Sequence, residues 1–164
     1  MASLDPSPGA LDEIRAALDE YRGAGYQLAT TALDVLLCSP LLIDHDYEAA
    51  LELIEHGLAT TSRNSERILE AELYRLKARV LTVRGGPDVE AEVQALLDHA
   101  LNTARNQHAK TLELRAATDR AALWFNQDKR EEALNLLAPI YAAFTEGFDT
   151  QDVKRAKALL DQLR

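Results

Sequence analysis

The sequence predicts an all-α fold of stacked helix pairs, on two observations of repetition and one of periodicity. The segments Tyr47-Glu48-Ala49-Ala50-Leu51-Glu52-Leu53-Ile54-Glu55-His56-Gly57-Leu58, Val93-Gln94-Ala95-Leu96-Leu97-Asp98-His99-Ala100-Leu101 and Glu132-Ala133-Leu134-Asn135-Leu136-Leu137-Ala138-Pro139-Ile140-Tyr141 are versions of one apolar-striped unit. Superposing Ile54, Leu97 and Leu137 gives steps of 43 and 40 residues. A second motif, Glu72-Leu73-Tyr74-Arg75 and Glu113-Leu114-Arg115-Ala116, recurs at a step of 41. No segment alternates apolar and polar residues between hairpin turns, so no strand is predicted. A repeat of this length is the pattern of solenoids, in which each helix pair buries the apolar face of the next. The expectation is about eight antiparallel helices over residues 10–164, after a disordered lead-in of residues 1–9 rich in Pro and Ser.

Leu11, Ile14, Leu18 and Tyr21 fall on one helical stripe, which Gly23 and Gly25 stop. A second helix is predicted from Tyr26 to Cys38, with Leu28, Ala32, Val35 and Leu36 inward, ended by Ser39-Pro40. Asp44 is placed to cap a third, reaching Thr60, with Tyr47, Ala50, Leu51, Ile54 and Leu58 as its stripe. The fourth is expected from Ser65 to Arg84, with Leu69, Leu73, Leu76, Val80 and Val83 inward. Gly85-Gly86 ends it, and Pro87 suits the first turn of the fifth, which reaches Asn106. A sixth runs from Lys110 to Asn126. Asp128 with Glu131 resembles a capping box opening a seventh that ends near Gly147. Asp149-Thr150 precedes a last helix striped by Val153, Ala156, Leu159, Leu160 and Leu163, suited to cap the open end of the stack. Small residues (Ala32, Ala50, Gly57, Ala78, Ala100, Ala117, Ala133) stand where helices must approach closely.

Composition narrows the function classes. The 164 residues are 47% hydrophobic and 27% charged, ordinary for a globular domain with a real core. The single cysteine, Cys38, permits no intramolecular disulfide and, between apolar neighbours, reads as a buried inert thiol. No charged-then-apolar leader and no apolar run of about 20 residues is present, so a cytoplasmic location is expected. The net charge of −9 is concentrated at the front: residues 1–62 hold eleven acids and two bases, and residues 63–164 balance. An acidic front half repels phosphate backbones and argues against nucleic acid and anionic membrane as partners.

Ser65-Glu66-Arg67-Ile68-Leu69-Glu70-Ala71-Glu72-Leu73-Tyr74-Arg75-Leu76-Lys77-Ala78 resembles the "ER-x-x-EAELHRLRG" segment of tetratricopeptide-like (TPR-like) regions. Such regions form the C-terminal part of bacterial signalling proteins that join a class III adenylate or guanylate cyclase domain, or a helix-turn-helix regulator domain, to a P-loop ATPase. Ala109-Lys110-Thr111-Leu112-Glu113-Leu114-Arg115-Ala116-Ala117 is similar to their "AKSLELRAA". The run from Leu136 through Pro139, Tyr141 and Phe144 to Thr150 is similar to "LLAPVYGWFTEGFDT". The likeness spans Asp44 to Leu163 and is strongest from Ser65. It implies a right-handed superhelix of three to four TPR-like pairs and a role as the sensor or docking end of that architecture. The chain itself holds no Gly-x4-Gly-Lys-Ser/Thr phosphate loop and no cyclase domain.

No residue set points to catalysis. His45, His56, His99 and His108 include no i, i+4 pair for a metal, and Asp119 and Glu131-Glu132 have no nucleophile or oxyanion loop beside them. Neither an enzyme nor a cofactor is expected. Trp124-Phe125 reads as a core plug between repeats. The resemblance implies that the first helix of each pair lines the concave face, where Arg67, Arg75, Lys77, Arg79, Arg84, Lys110, Arg115 and Arg120 would stand. Arg75 and Arg79 are one turn apart, and Arg120 follows Arg79 by 41 residues. Arg75, Arg79, Arg115 and Arg120 are therefore the candidate groove, able to clamp carboxylates of an acidic protein or peptide. The expected function is a protein-interaction module of signalling or transcriptional regulation. The alternatives are a groove that senses a small anionic ligand, and a first helix that pairs two copies into a homodimer.

Overall fold

The computed structural model describes residues 30–64, 67–86 and 89–164, with Glu13, Ala16, Ala17, Glu20, Tyr21 and Gly23. The chain divides into two compact units, Met1–Leu69 and Glu70–Arg164, within what the sequence presents as one span. Regular structure among the described residues is entirely helical. The first unit holds α1 (Thr30–Ile43) and α2 (Tyr47–Asn64). The second holds α3 (Glu70–Arg84), α4 (Val89–Asn106), α5 (Lys110–Asn126), α6 (Arg130–Ala142) and α7 (Gln151–Leu163). The helix predicted from Leu11 lies almost wholly outside the described residues, as do the start at Tyr26 and the role of Pro87.

In the first unit α1 packs on α2. The predicted stop at Ser39-Pro40 is wrong: α1 continues through Pro40 to Ile43. A proline inside a helix forfeits a backbone hydrogen bond, but the added turn carries Leu41 into the core, where it is 1% exposed. The inward face also differs from prediction. Leu36 is 68% exposed, and the buried stripe is Thr31, Asp34, Leu37, Cys38 and Leu41. Asp34 breaks an apolar reading of that stripe, yet it is fully buried because His56 Nδ1 on α2 lies 2.9 Å from its Oδ2. Cys38 is buried as expected, its thiol donating to the Asp34 carbonyl. The residue capping α2 is Asp46 in place of Asp44: the Ala49 N–H donates to Asp46 Oδ1 at 3.2 Å, satisfying a donor of the first turn.

In the second unit α4 packs between α3 and α5, α5 also meets α3 and α6, and α7 rests on α5 and α6. The turns at 107–109 and 127–129 are three residues long, which makes the joined helices antiparallel neighbours. One backbone device recurs at helix ends. His45, His108 and Asp128 have φ of 60°, 54° and 60°. In each case the next N–H reaches back five residues at 2.9 Å, from Asp46 to Leu41, Ala109 to Ala104 and Lys129 to Trp124. This is a Schellman closure with a non-glycine residue in the left-handed region. At the end of α3, Gly85 takes the left-handed position at φ 70°. Thus the closures of α1, α3 and α5 stand at 45, 85 and 128, and the sequence period returns in the backbone.

Several boundaries are corrected. The fourth predicted helix begins at Glu70, not Ser65, and its first turn carries Glu70 and Glu72, whose charges suit a helix N-terminus. Asp128 opens no capping box. It closes α5, and α6 starts at Arg130 without a side-chain cap. That helix ends at Ala142 rather than near Gly147. Residues 143–150 form a loop in which Gly147 has φ 72° and the Thr150 hydroxyl donates to the Gly147 carbonyl at 2.7 Å.

The core of this unit joins Ala100, Leu114, Ala117, Ala121, Ala133 and Leu137 to Val153, Ala156, Leu159, Leu160 and Leu163 of α7. The α7 stripe therefore packs as its spacing predicts, and burying each leucine contributes about 1.5–3 kcal/mol. Ala50, Ala78, Ala100, Ala117 and Ala133, read as close-approach positions, are all 0–1% exposed. Trp124 and Phe125 pack half-buried against this core.

Candidate functional site

The second unit carries a chain of alternating charges threaded through its helices. Arg75 on α3 is 5% exposed, and it holds Glu72, one turn earlier, through Nε at 2.9 Å and Nη2 at 2.6 Å. Its Nη1 donates to Asp119 Oδ2 on α5 at 2.7 Å, while Arg155 Nη2 on α7 takes Asp119 Oδ1 at 2.6 Å. Arg115 on α5 donates to Glu72 Oε1 at 3.2 Å and, through Nε, to Asp152 Oδ2 at 2.8 Å. The order is thus Asp152, Arg115, Glu72, Arg75, Asp119, Arg155. Buried charges are tolerated only when paired and hydrogen-bonded, which this chain achieves with bidentate guanidinium geometry. Burial alone would lower the Arg75 pKa. The Glu72 hydrogen bonds and the Asp119 and Glu72 charges outweigh it, holding the guanidinium above its ordinary value.

Arg79, one turn beyond Arg75, stands apart from this pairing. It is exposed, and among the described residues no hydrogen bond or ion pair ties it. Partial burial of its guanidinium lowers its pKa; Asp119 opposes that, and the positive charges of Arg75 and Arg155 add to it. Arg79 lines a cleft of about 170 Å³ between α3, α4, α5 and α7. Its walls include Val83, Val93, Leu97 and Leu123, with Asp119 and Arg155 on the polar side. Val83 falls on the inward stripe in sequence, but it is 57% exposed because it faces this cleft and not the core.

The four arginines singled out in the sequence therefore separate. Arg75 is interior and saturated, and Arg115 is half-buried and committed to Glu72 and Asp152. Arg120 is 6% exposed: its Nη2 donates to Asp98 Oδ2 at 3.2 Å, and its guanidinium lies 4.5 Å from the Trp124 ring. Its Nε is 3.1 Å from Asp98 Oδ1, close enough for an ion pair but not aligned for a hydrogen bond. Arg79 alone of the four lines the cleft. Arg155, which the sequence reading passed over, joins it there. The signal that could have found it is the stripe of α7: Asp152 and Arg155 flank Val153 and Ala156, so one edge of the packed face carries charge.

A second hollow, about 350 Å³, lies under the 143–150 loop and is lined by Lys110, Thr111, Phe144, Thr145, Glu146 and Asp152. Two acids against one lysine do not suit an anion. Among the described residues no group of three or more His, Cys, Asp or Glu could hold a metal, and no helix is long and apolar enough to cross a membrane. His99, at the repeat position of His56, meets the Tyr74 ring at 4.0 Å. Comparison with family models and with curated proteins finds no match.

Proposed function

We propose that this chain is a TPR-like protein-interaction module of signalling or transcriptional regulation, which recognises an acidic protein or peptide at the cleft beside Arg79. The observation that carries the reading is the untied Arg79 on an apolar cleft, set in helix pairs whose closures repeat in register. Helical-repeat stacks present such faces to polypeptides, and a cation without an internal partner on an apolar wall is the complement of an acidic ligand. The alternative, a sensor of a small anionic metabolite, is less well supported. A cleft of about 170 Å³ is below the roughly 300–1,000 Å³ of drug-sized ligand pockets.

The reading is tested by affinity capture from lysate of the source organism with wild type and Arg79→Glu, followed by reconstitution with the purified candidate. A defined protein that binds wild type directly and the variant at least about tenfold more weakly supports it, since reversing one charge in a partly desolvated contact exceeds 1.4 kcal/mol. Equal binding by both forms places the interaction elsewhere. Recovery of nothing by either form counts against the module.

A further inference from the structure

The helix α1 is apolar on both of its faces. Leu37, Cys38 and Leu41 are buried, while Leu36 and Ile43 are 68% and 76% exposed and Leu33 is exposed with them. Leu33, Leu36, Pro40 and Ile43 follow at i, i+3, i+7 and i+10, one continuous stripe, with Ala32 and Ser39 beside it. From Thr30 to Ile43 the only charged residue is Asp34, and Asp34 is fully buried. The outer face of α1 is thus without charge, in the part of the chain, residues 1–62, where acids outnumber bases eleven to two. A helix that is apolar all round belongs in an interior, and a contiguous strip of exposed aliphatic side chains marks an association surface.

We propose that the outer face of α1 is the contact by which two copies of this chain pair, antiparallel about a two-fold axis. The surface belongs to the first unit and is independent of the cleft in the second. A two-fold contact sets one patch against itself, so any charge in the patch would meet its like. This patch has none, whereas the surplus acids of the same half disfavour other contacts between copies. The direction follows from Asp44, the exposed acid at the C-terminal end of the stripe. Parallel helices would bring the two Asp44 carboxylates together. Antiparallel pairing separates them by the stripe, about 15 Å for ten residues, beyond the Debye length of about 8 Å. It also sets each near the N-terminus of the opposite α1, where an acid is favoured. Leu36 and Pro40 then lie about the axis, and Ile43 of one copy meets Leu33 of the partner subunit. The stripe offers on the order of 500 Å² a copy, so a pair buries about 1,000 Å², the lower limit for a specific interface, and a micromolar dimer is expected. A lipid surface is the poorer occupant, because α1 lacks the lysines and arginines of interfacial helices.

The test is sedimentation equilibrium of the full chain from about 1 μM to about 1 mM, with the thermal midpoint of each variant taken at the lowest concentration. Wild type should pass from monomer to dimer and go no further, because a two-fold contact closes on itself. Leu36→Glu places two carboxylates at the axis and should weaken the dimer at least about tenfold, a like-charge penalty in a desolvated contact. Its thermal midpoint should stay that of wild type, since the side chain is in water in the single copy. Ile43→Glu and Leu33→Lys should each weaken the dimer as well. Combined in one chain they should leave it tighter than the two losses multiplied together, because antiparallel pairing sets the introduced ammonium of one copy against the introduced carboxylate of the other. A monomer at every concentration overturns the proposal, and so does association that runs on beyond two copies. A dimer indifferent to Leu36→Glu and Ile43→Glu overturns the surface. A combined variant no tighter than that product overturns the antiparallel direction. A monomer whose thermal midpoint falls with Leu36→Glu assigns the stripe to a segment of the same chain and overturns the second copy as its occupant.

Discussion

Arg75 and Arg79 sit one turn apart on α3 and illustrate opposite uses of the same side chain. Arg75 is part of the interior: removing it leaves Glu72 and Asp119, 4% and 8% exposed, without their main counter-charge. Loss of one partner of a buried pair costs about 3–5 kcal/mol, far more than the pair's net contribution relative to an apolar replacement. Arg75→Met should therefore lower the unfolding free energy by that amount, read as a lower urea midpoint at unchanged slope. Arg79→Gln should stay within about 0.5 kcal/mol of wild type, because it breaks no bond and relieves repulsion from two neighbouring guanidiniums. A loss at Arg79 comparable to that at Arg75 would show that both are structural.

At the scale of the element, helix ends carry more information than helix stripes. The Schellman closures after α1 and α5 use His45 and Asp128 where glycine is the residue that costs least. The left-handed conformation costs a residue with a Cβ roughly 1–2 kcal/mol, which Asp partly offsets, and glycine's extra freedom in the unfolded chain returns part of the gain. Asp128→Gly is thus expected to stabilise by about 0.5–1 kcal/mol, read as a rise in thermal midpoint. A fall would mean that the Asp128 carboxylate contributes to the turn. These closures also explain which boundaries the sequence concealed. Asp128 followed by Glu131 satisfies the letter of a capping box, but the αL turn of α5 claims Asp128 first. Ser39-Pro40 reads as a stop until Leu41 is seen buried on the next turn.

For the whole molecule, repetition made the helix pairs legible: steps near 41 residues in motifs reappear as closures at 45, 85 and 128. The last helix was legible too, since Val153, Ala156, Leu160 and Leu163 can form only one apolar stripe. The positions of the arginines were legible, and their internal partners were not. Basic residues on first-type helices were visible, but whether each meets an acid depends on contacts 43 or 44 residues apart, as between Arg115 and Glu72 or Arg75 and Asp119. Periodicity says which positions correspond; it does not say which correspondents are neutralised. Arg79 and Arg120, equivalent by spacing, end up facing a cleft and an Asp98–Trp124 niche respectively.

The interior placement of Glu72, Arg75 and Asp119 also sets how the second unit responds to ionic strength. Raising sodium chloride from about 0.1 M to about 1 M shortens the Debye length from about 10 Å to about 3 Å, which silences charges that mobile ions can approach. The exposed Lys157–Asp161 pair is of that kind. The Glu72–Arg75–Asp119 knot excludes the ions themselves, so the stability gap between wild type and Arg75→Met should hold constant across that range. A gap that closes with salt would mean that water and ions reach the knot in the folded state. If it holds, electrolyte can be used to silence the surface of this protein while its inner charges go on working.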